Sequence, residues 1–243
     1  MIQVWSCGGG VQSAAIAALI IQGRLPKPDY SIIVDTEREL STTWEYYDAV
    51  LRPELERVGV QLERVSKSRY ATADLYSTDD ENLLVPVFFA PDGKHPGFCS
   101  NEWKRRVIMR HCRALGIERC ENWVGISTDE MRRVRTGPPK WFQVRYPLIF
   151  DVPMSRGACV ELVKRMGWTS APRSSCFMCP HHTDHEWRIM PLSDFAKAVE
   201  LERELHRTRP DLFLHCERKP LDQVNFDDRQ AAREGCQTGF CFT

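Results

Sequence analysis

Read only for apolar and polar positions, the chain alternates short apolar runs with stretches of helical period. Residues 2–5 are a short apolar run, and a turn of small residues follows. Ala14-Ala15-Ile16-Ala17-Ala18-Leu19-Ile20-Ile21 is apolar on every side, which predicts a buried helix. Ser31-Ile32-Ile33-Val34 leads into Asp35 and Thr36 and predicts a second strand, parallel to the first and one helix later. From Thr42 and Thr43 an amphipathic helix is predicted, carrying Trp44, Tyr47, Val50 and Leu51. Pro53 either kinks it or opens a second helical piece. Residues 60–65 alternate as a half-buried strand does.

The periodicity dissolves over residues 70–96, where prolines, glycines and acids surround one apolar patch at 85–90. A stretch this long reads as a substrate-covering loop or as a plain insertion. Regular pattern then returns. Ser100 or Asn101 caps a helix running to about Leu115, residues 121–127 predict a strand leaving into a loop, and residues 146–150 suggest another strand. Ser155 caps an amphipathic helix through Met166 that Gly167 ends. Residues 192–206 predict a further helix, and residues 212–216 a short strand.

Length and charge narrow the class. At 243 residues the chain can bury a full core. It reads as an α/β domain over residues 1–150 and a C-terminal helical, cysteine-bearing segment over 151–243, packed as one unit. Lys and Arg total 33, as do Asp and Glu, so no global charge argues for a nucleic-acid or membrane partner. No apolar stretch is long enough to span a bilayer, and the N-terminus lacks a basic lead-in or signal-type cleavage site, so a cytoplasmic location is expected. Ten cysteines is a high count there, and points to metal, cluster or redox chemistry rather than a disulfide framework.

The candidate chemistry begins in the first turn. Ser6-Cys7-Gly8-Gly9-Gly10-Val11-Gln12-Ser13 lies between a strand and a helix, an arrangement that presents backbone N–H groups and a positive helix end to an anion. Glycines let the backbone approach a ligand, and Ser13 can donate to a phosphate oxygen. The loop is neither G-x-G-x-x-G nor G-x-x-x-x-G-K-[ST]. Asp35 and Thr36, at the carboxyl end of the second strand, face the same crevice or serve as turn formers. Lys104, Arg105, Arg106, Arg110, His111 and Arg113 form a basic helix face, either solvated or in contact with phosphates. Acids and arginines crowd residues 129–135, which suggests a polyphosphate site. Cys176 and Cys179 form a C-x-x-C pair followed by Pro180, a metal, iron–sulfur or redox element. Its missing partners come from Cys99, nearby histidines, Cys236 or Cys241. Cys112, Cys120, Cys159 and Cys216 sit in periodic apolar contexts and read as small core residues.

Together these stretches resemble the PP-loop ATP pyrophosphatase superfamily, in its PAPS reductase-like branch, which includes DNA phosphorothioation and thiolation proteins. Gly8-Gly9-Gly10-Val11-Gln12-Ser13 stands where that family has S-G-G-x-D-S. Val34-Asp35-Thr36 with Glu39 and Thr43 resembles its D-T-x-x-E segment. Cys99 with Lys104 is similar to its C-[CST]-x-x-x-K element. Trp123-Val124-Gly125-Ile126 through Asp129, Glu130 and Arg133 resembles its W-x-x-G-I-R-x-D-E-S-x-x-R segment. The likeness extends to about residue 190. Gly8 and Gln12 depart from the family's serine and acid.

The resemblance implies a Rossmann-like parallel sheet that binds an adenine nucleotide, as in the adenine nucleotide alpha hydrolases. It implies nucleotide contacts from Ser6, Gly8, Gly9, Gly10, Gln12, Ser13, Asp35, Thr36, Gly125 and Arg135, and catalytic roles for Ser13, Lys104, Asp129 and Arg133. A 4Fe-4S cluster, or alternatively Zn²⁺, would sit on Cys99, Cys176, Cys179 and one of Cys236 and Cys241. The reaction expected is ATP- and Mg²⁺-dependent adenylylation of an acceptor, a nucleic acid in the first instance, followed by sulfur incorporation. A sulfur donor such as a cysteine desulfurase and a second copy in a homodimer are the other expected partners. A PAPS or APS reductase producing sulfite is one alternative, and a non-catalytic nucleotide-binding or nucleic-acid-binding module with structural zinc is another.

Overall fold

A computed structural model describes residues 1–70, 73–76, 83–91, 93–134 and 137–226. By its internal contacts the chain divides into two compact units. Unit 1 takes residues 1–70 and 103–174, and unit 2 takes residues 71–102 and those from 175 onward.

Unit 1 is built on a five-stranded sheet, with strands β1 (Ile2–Cys7), β2 (Tyr30–Asp35), β3 (Leu62–Ser66), β6 (Cys120–Val124) and β7 (Phe142–Arg145). Their order is β3-β2-β1-β6-β7, and every pairing is parallel. Helix α1 (Val11–Ile21) connects β1 to β2. It is buried from Ser13 to Ile20, as its all-round apolar sequence predicts. Helix α6 (Arg156–Arg165) packs on α1 and adds Cys159, Leu162 and Val163 to the same core. The sheet is the Rossmann-like α/β architecture expected from the sequence. The chain works outward from β1 through β2 to β3, then returns to the other side of β1 as β6. The direction therefore reverses at β1 and β6, and the loops leaving those two strands open on the switch point where α/β sheets take ligands.

Several local expectations are met for the expected reasons. Ser155 caps α6, its hydroxyl oxygen accepting the Ala158 N–H at 3.1 Å, and Gly167 takes a positive φ just past the end. Replacing Ser155 with alanine is expected to cost about 1 kcal/mol, measured as a lowered urea midpoint at unchanged slope. Pro53 opens helix α3 (Arg52–Glu56), which follows helix α2 (Ser41–Tyr46) through one wide turn at Tyr47–Leu51. The segment at 146–150 differs from its strand prediction. Pro147 starts a short helix, α5 (Pro147–Phe150), and the strand lies just before it as β7. Proline lacks the N–H that a central strand needs and suits the first helical turn.

Unit 2 contains a three-stranded antiparallel sheet of β4 (Val87–Phe89), β5 (Gly93–His95) and β8 (Leu212–Phe213), ordered β5-β4-β8. The apolar patch at 85–90 is thus the centre of a sheet rather than a structureless loop. Helices α7 (Asp184–Ile189) and α8 (Leu192–His206) also belong to the unit. Thr183 and Glu186 form a reciprocal capping box at the start of α7. No helix among the described residues is long and apolar enough to cross a membrane.

Candidate phosphate-binding turn and cysteine turn

The turn after β1 is shaped by two close approaches. Gly9 has φ +77°, and a Cβ there would lie 2.9 Å from Thr43 Cγ2 and 3.4 Å from Ile33 Cδ1. At Gly10 a Cβ would meet Ser174 Cβ at 3.4 Å. The turn is therefore pinched between α2 and the 172–174 segment, and at Gly9 only a residue without a side chain fits. Gly10 is the N-cap of α1 and supplies no side-chain cap, so the first-turn N–H groups remain for a ligand to satisfy. Ser13 Oγ accepts the Gly8 N–H at 2.8 Å, and its hydroxyl also bonds the Cys7 sulfur beneath the turn. Beside Gly9 stand Thr43, through its Cγ2 methyl, and Ser174, through its Oγ, and the hydroxyls of both are buried with no hydrogen-bond partner among the described residues. A phosphate seated here would satisfy them.

Neighbouring side chains form two networks. On the β2 side, Asp35 Oδ2 receives Arg64 Nε at 3.0 Å and Nη2 at 2.5 Å, and Asp35 Oδ1 receives the Glu37 N–H. Asp35 is thus a buried anchor for Arg64, which also stacks over Trp44. Thr36 donates to Glu39 Oε1 at 3.3 Å, and Lys104 Nζ pairs with the same oxygen at 2.8 Å. Glu39 Oε2 is buried with no hydrogen-bond partner among the described residues. On the β6 side, Gln12 Nε2 donates to Glu130 Oε2 at 2.8 Å, while Gln12 Oε1 accepts from Arg156 at 3.3 Å. Arg133 donates to Glu130 Oε1 at 2.5 Å. The amide at position 12 thus bridges an acid and a base, which no carboxylate could do. Asp129 accepts the Arg156 N–H at 2.9 Å and so holds the start of α6. Gly125 lies against the first turn of α1, where a Cβ would meet Gln12 Cβ at 3.4 Å. Ser6 donates to Asn122 across β1 and β6 at 2.6 Å.

Within unit 1, then, Ser6, Gly8, Gly9, Gly10, Gln12, Ser13, Asp35, Thr36, Lys104, Gly125, Asp129 and Arg133 all stand on or beside the strand ends around the turn. Arg135 lies outside the described residues. Thr43, Glu39, Glu130, Arg156 and Ser174 join them without having been singled out as site residues. Glu39 and Thr43 carried a signal, since they belong to the D-T-x-x-E segment. Arg156 and Ser174 carried none, because only the packing of α6 and the 172–174 segment brings them here.

Cys7, the last residue of β1, is buried at the base of the turn, with its sulfur against the Gly9 backbone and the Ser13 hydroxyl. Burial pushes its thiol up to about 11, so it stays protonated at neutral pH. The basic helix is largely spent inside unit 1. It forms a wide turn (Ser100–Arg105) followed by α4 (Arg106–Ala114). Lys104 holds Glu39, Arg110 donates to the Tyr70 carbonyl, and His111 is buried between Tyr70 and Glu63. Arg113 stacks over Trp141 with its guanidinium 3.7 Å from the ring centre.

Unit 2 holds the cysteine turn. The Cys179 N–H donates to the Cys176 carbonyl at 3.0 Å, and His182 Nε2 bonds the same carbonyl at 2.9 Å. The Cys99 N–H donates to the Leu84 carbonyl. Among the described residues no group of three or more His, Cys, Asp or Glu is arranged to hold a metal ion. The described residues therefore do not by themselves fit a cluster, and Cys236 and Cys241 lie outside them. Of the cysteines read as core residues, Cys112, Cys120 and Cys159 are fully buried, but Cys216 is exposed. It ends an apolar run whose last residues turn out of the sheet.

Fold and site together define a parallel α/β protein with a glycine turn at its switch point. No protein-family model matches the sequence, and no curated protein matches it. Among solved structures, the U34-tRNA thiolase NcsA from Methanococcus maripaludis, with its 4Fe-4S cluster, is similar at 15% identity over 86% of this chain and 67% of that one, with a TM-score of 0.46. The phosphoadenylyl-sulfate (PAPS) reductase from Candida auris, in a phosphate complex, is similar at 11% identity over 70% of this chain and 75% of that one, with a TM-score of 0.43. The likeness is one of fold.

Proposed function

We propose that the chain is an ATP pyrophosphatase that adenylylates an acceptor so that sulfur can be introduced. The observation that carries this reading is the pair of unpartnered buried hydroxyls, Thr43 and Ser174, set against a glycine turn that tolerates no Cβ at Gly9. Such a turn suits an oxyanion. In the reaction an acceptor oxygen attacks the α-phosphorus of ATP, the α–β anhydride bond breaks, and pyrophosphate leaves as the acceptor becomes an AMP ester. A sulfur nucleophile from a donor then displaces AMP.

Gly8 to Gly10, Ser13, Thr43 and Ser174 hold the β- and γ-phosphates. Lys104 and Arg133, each already oriented by a glutamate, face the charge that grows on the leaving pyrophosphate, and preorganised cations of this kind act without reorganisation cost. Glu39 would hold Mg²⁺ through Oε2, where the ion would neutralise phosphate charge. Gln12 fixes the Glu130–Arg156 pair rather than binding metal. A nucleic-acid oxygen is the acceptor class proposed. Its contacts would fall to the exposed Arg132 and Arg156 rather than to α4, whose basic groups are mostly engaged.

ATP-dependent pyrophosphate release, measured with and without nucleic acid, tests the reading. Release stimulated by one nucleic-acid class is expected. Absence of release under every condition, with sulfite formed from PAPS instead, would replace it with the reductase alternative. Iron, labile sulfide and zinc measured on the same anaerobic sample test the proposed cluster on Cys99, Cys176, Cys179 and a tail cysteine.

A further inference from the structure

Unit 2 carries a cluster that the phosphate chemistry does not use. His215, two residues beyond β8, is buried, with Nε2 3.0 Å from Asp184 Oδ1 and 4.0 Å from Cys216 Sγ. Its Nδ1 accepts the backbone N–H of Glu217 at 3.2 Å. A ring nitrogen that accepts an N–H bears no proton, so the neutral imidazole carries its hydrogen on Nε2. That hydrogen faces both the Asp184 carboxylate and the Cys216 sulfur.

The arrangement is held on several sides. Phe226 meets His215 edge-on at 5.6 Å, and Trp187 stacks on Phe226 at 6.4 Å. Asp184 is 8% exposed, and its Oδ2 has no hydrogen-bond partner among the described residues. Arg218 bonds the carbonyls of Phe89 and Cys216, which ties down the backbone that follows the thiol, and Lys219 pairs with Glu217. Cys216 itself is exposed. The hydrogen bond from His215 favours the thiolate and the Asp184 charge opposes it. The bond is the larger effect, so the thiol lies below its ordinary range. Cys7, Cys112, Cys120 and Cys159 show the opposite pattern, with burial pushing each thiol up.

We propose that Cys216 is a nucleophilic thiol for thiol–disulfide exchange, with His215 as the donor that holds its thiolate and Asp184 as the positioning residue that orients His215. The substrate class is a disulfide able to reach an open surface cysteine. Cys216 releases its proton to solvent, and its sulfur attacks one sulfur of the disulfide. The new S–S bond forms as the old one breaks, and the departing sulfur leaves as a thiolate that takes up a proton from water. Cys216 is oxidised and the departing sulfur is reduced, so the disulfide is itself the oxidant.

The test uses the full chain and dithiodipyridine as the disulfide, with modification of the Cys216 peptide followed by mass spectrometry at pH 7. Native Cys216 is expected to react about tenfold faster than the same cysteine in the urea-unfolded chain. His215→Phe should bring the native rate down to the unfolded one and move the midpoint of its pH–rate profile upward, while His215→Gln, which keeps a donor, should restore part of the rate. Asp184→Asn should shift the same midpoint. A native wild-type rate at or below the unfolded rate would overturn the proposal without recourse to any variant. A folded His215→Phe with the wild-type rate and profile would overturn it equally.

Discussion

Gly9→Ala is expected to destabilise unit 1 by about 2–3 kcal/mol and to remove measurable ATP binding. Two separate costs add. The left-handed backbone at φ +77° charges an alanine roughly 1–2 kcal/mol that glycine does not incur. The new methyl would also sit 2.9 Å from Thr43 Cγ2 and 3.4 Å from Ile33 Cδ1, so one wall of the turn must shift. The two parts can be told apart. Thr43→Ser removes Cγ2 while keeping the hydroxyl, so the Gly9→Ala/Thr43→Ser protein should regain the steric part of the loss and none of the backbone part. Urea unfolding of the two single variants and the double variant measures this. Equal stability of Gly9→Ala and the wild type would mean that the turn is slack, and a slack turn could not preorganise N–H groups for phosphate. Calorimetric titration with ATP gives the binding half of the result.

Lys104→Met is expected to cost about 3 kcal/mol, because it removes the cation paired with the buried Glu39 carboxylate. The Glu39 side chain is 3% exposed, and Lys104 Nζ is 2.8 Å from its Oε1. Thr36 still donates to that oxygen. Glu39→Gln should cost less, since Lys104 at 22% side-chain exposure can turn toward water. The Lys104→Met/Glu39→Gln protein should therefore be more stable than Lys104→Met alone, a coupling readable from a double-mutant cycle of urea midpoints. Because Glu39 is also the proposed Mg²⁺ ligand, pyrophosphate release should stay low in the double variant even as stability returns. Recovery of both together would remove Lys104 and Glu39 alike from the proposed chemistry.

Much of unit 1 can be read from its sequence because its elements follow local rules. The strand, glycine turn and helix at the N-terminus are contiguous, and their apolar runs need no partner to be recognised. Ser155 and Gly167 mark the ends of α6 through backbone chemistry that operates within four residues. Where reading failed, the deciding contact lay far along the chain. Residues 85–90 look irregular beside their neighbours, yet Phe88 pairs with Phe213, more than a hundred positions away. The basic residues from Lys104 to Arg113 read as one exposed face, but their partners Glu39, Glu63, Tyr70 and Trp141 come from elsewhere in unit 1 and are brought alongside by folding. Gln12 reads as a defect in an acid's place until Glu130 and Arg156 are seen on either side of its amide.

The sequence by itself determined the order of parallel strands and helices, the glycine turn after β1 and the ends of its longer helices, because periodicity and φ preferences act over a few residues. Only the tertiary structure decided which strands neighbour β1, that Thr43 and Ser174 close on Gly9, and that Cys216 stands exposed beside His215 and Asp184. Those outcomes depend on which surfaces can pack once the apolar runs are buried together, and no single stretch of sequence contains both partners.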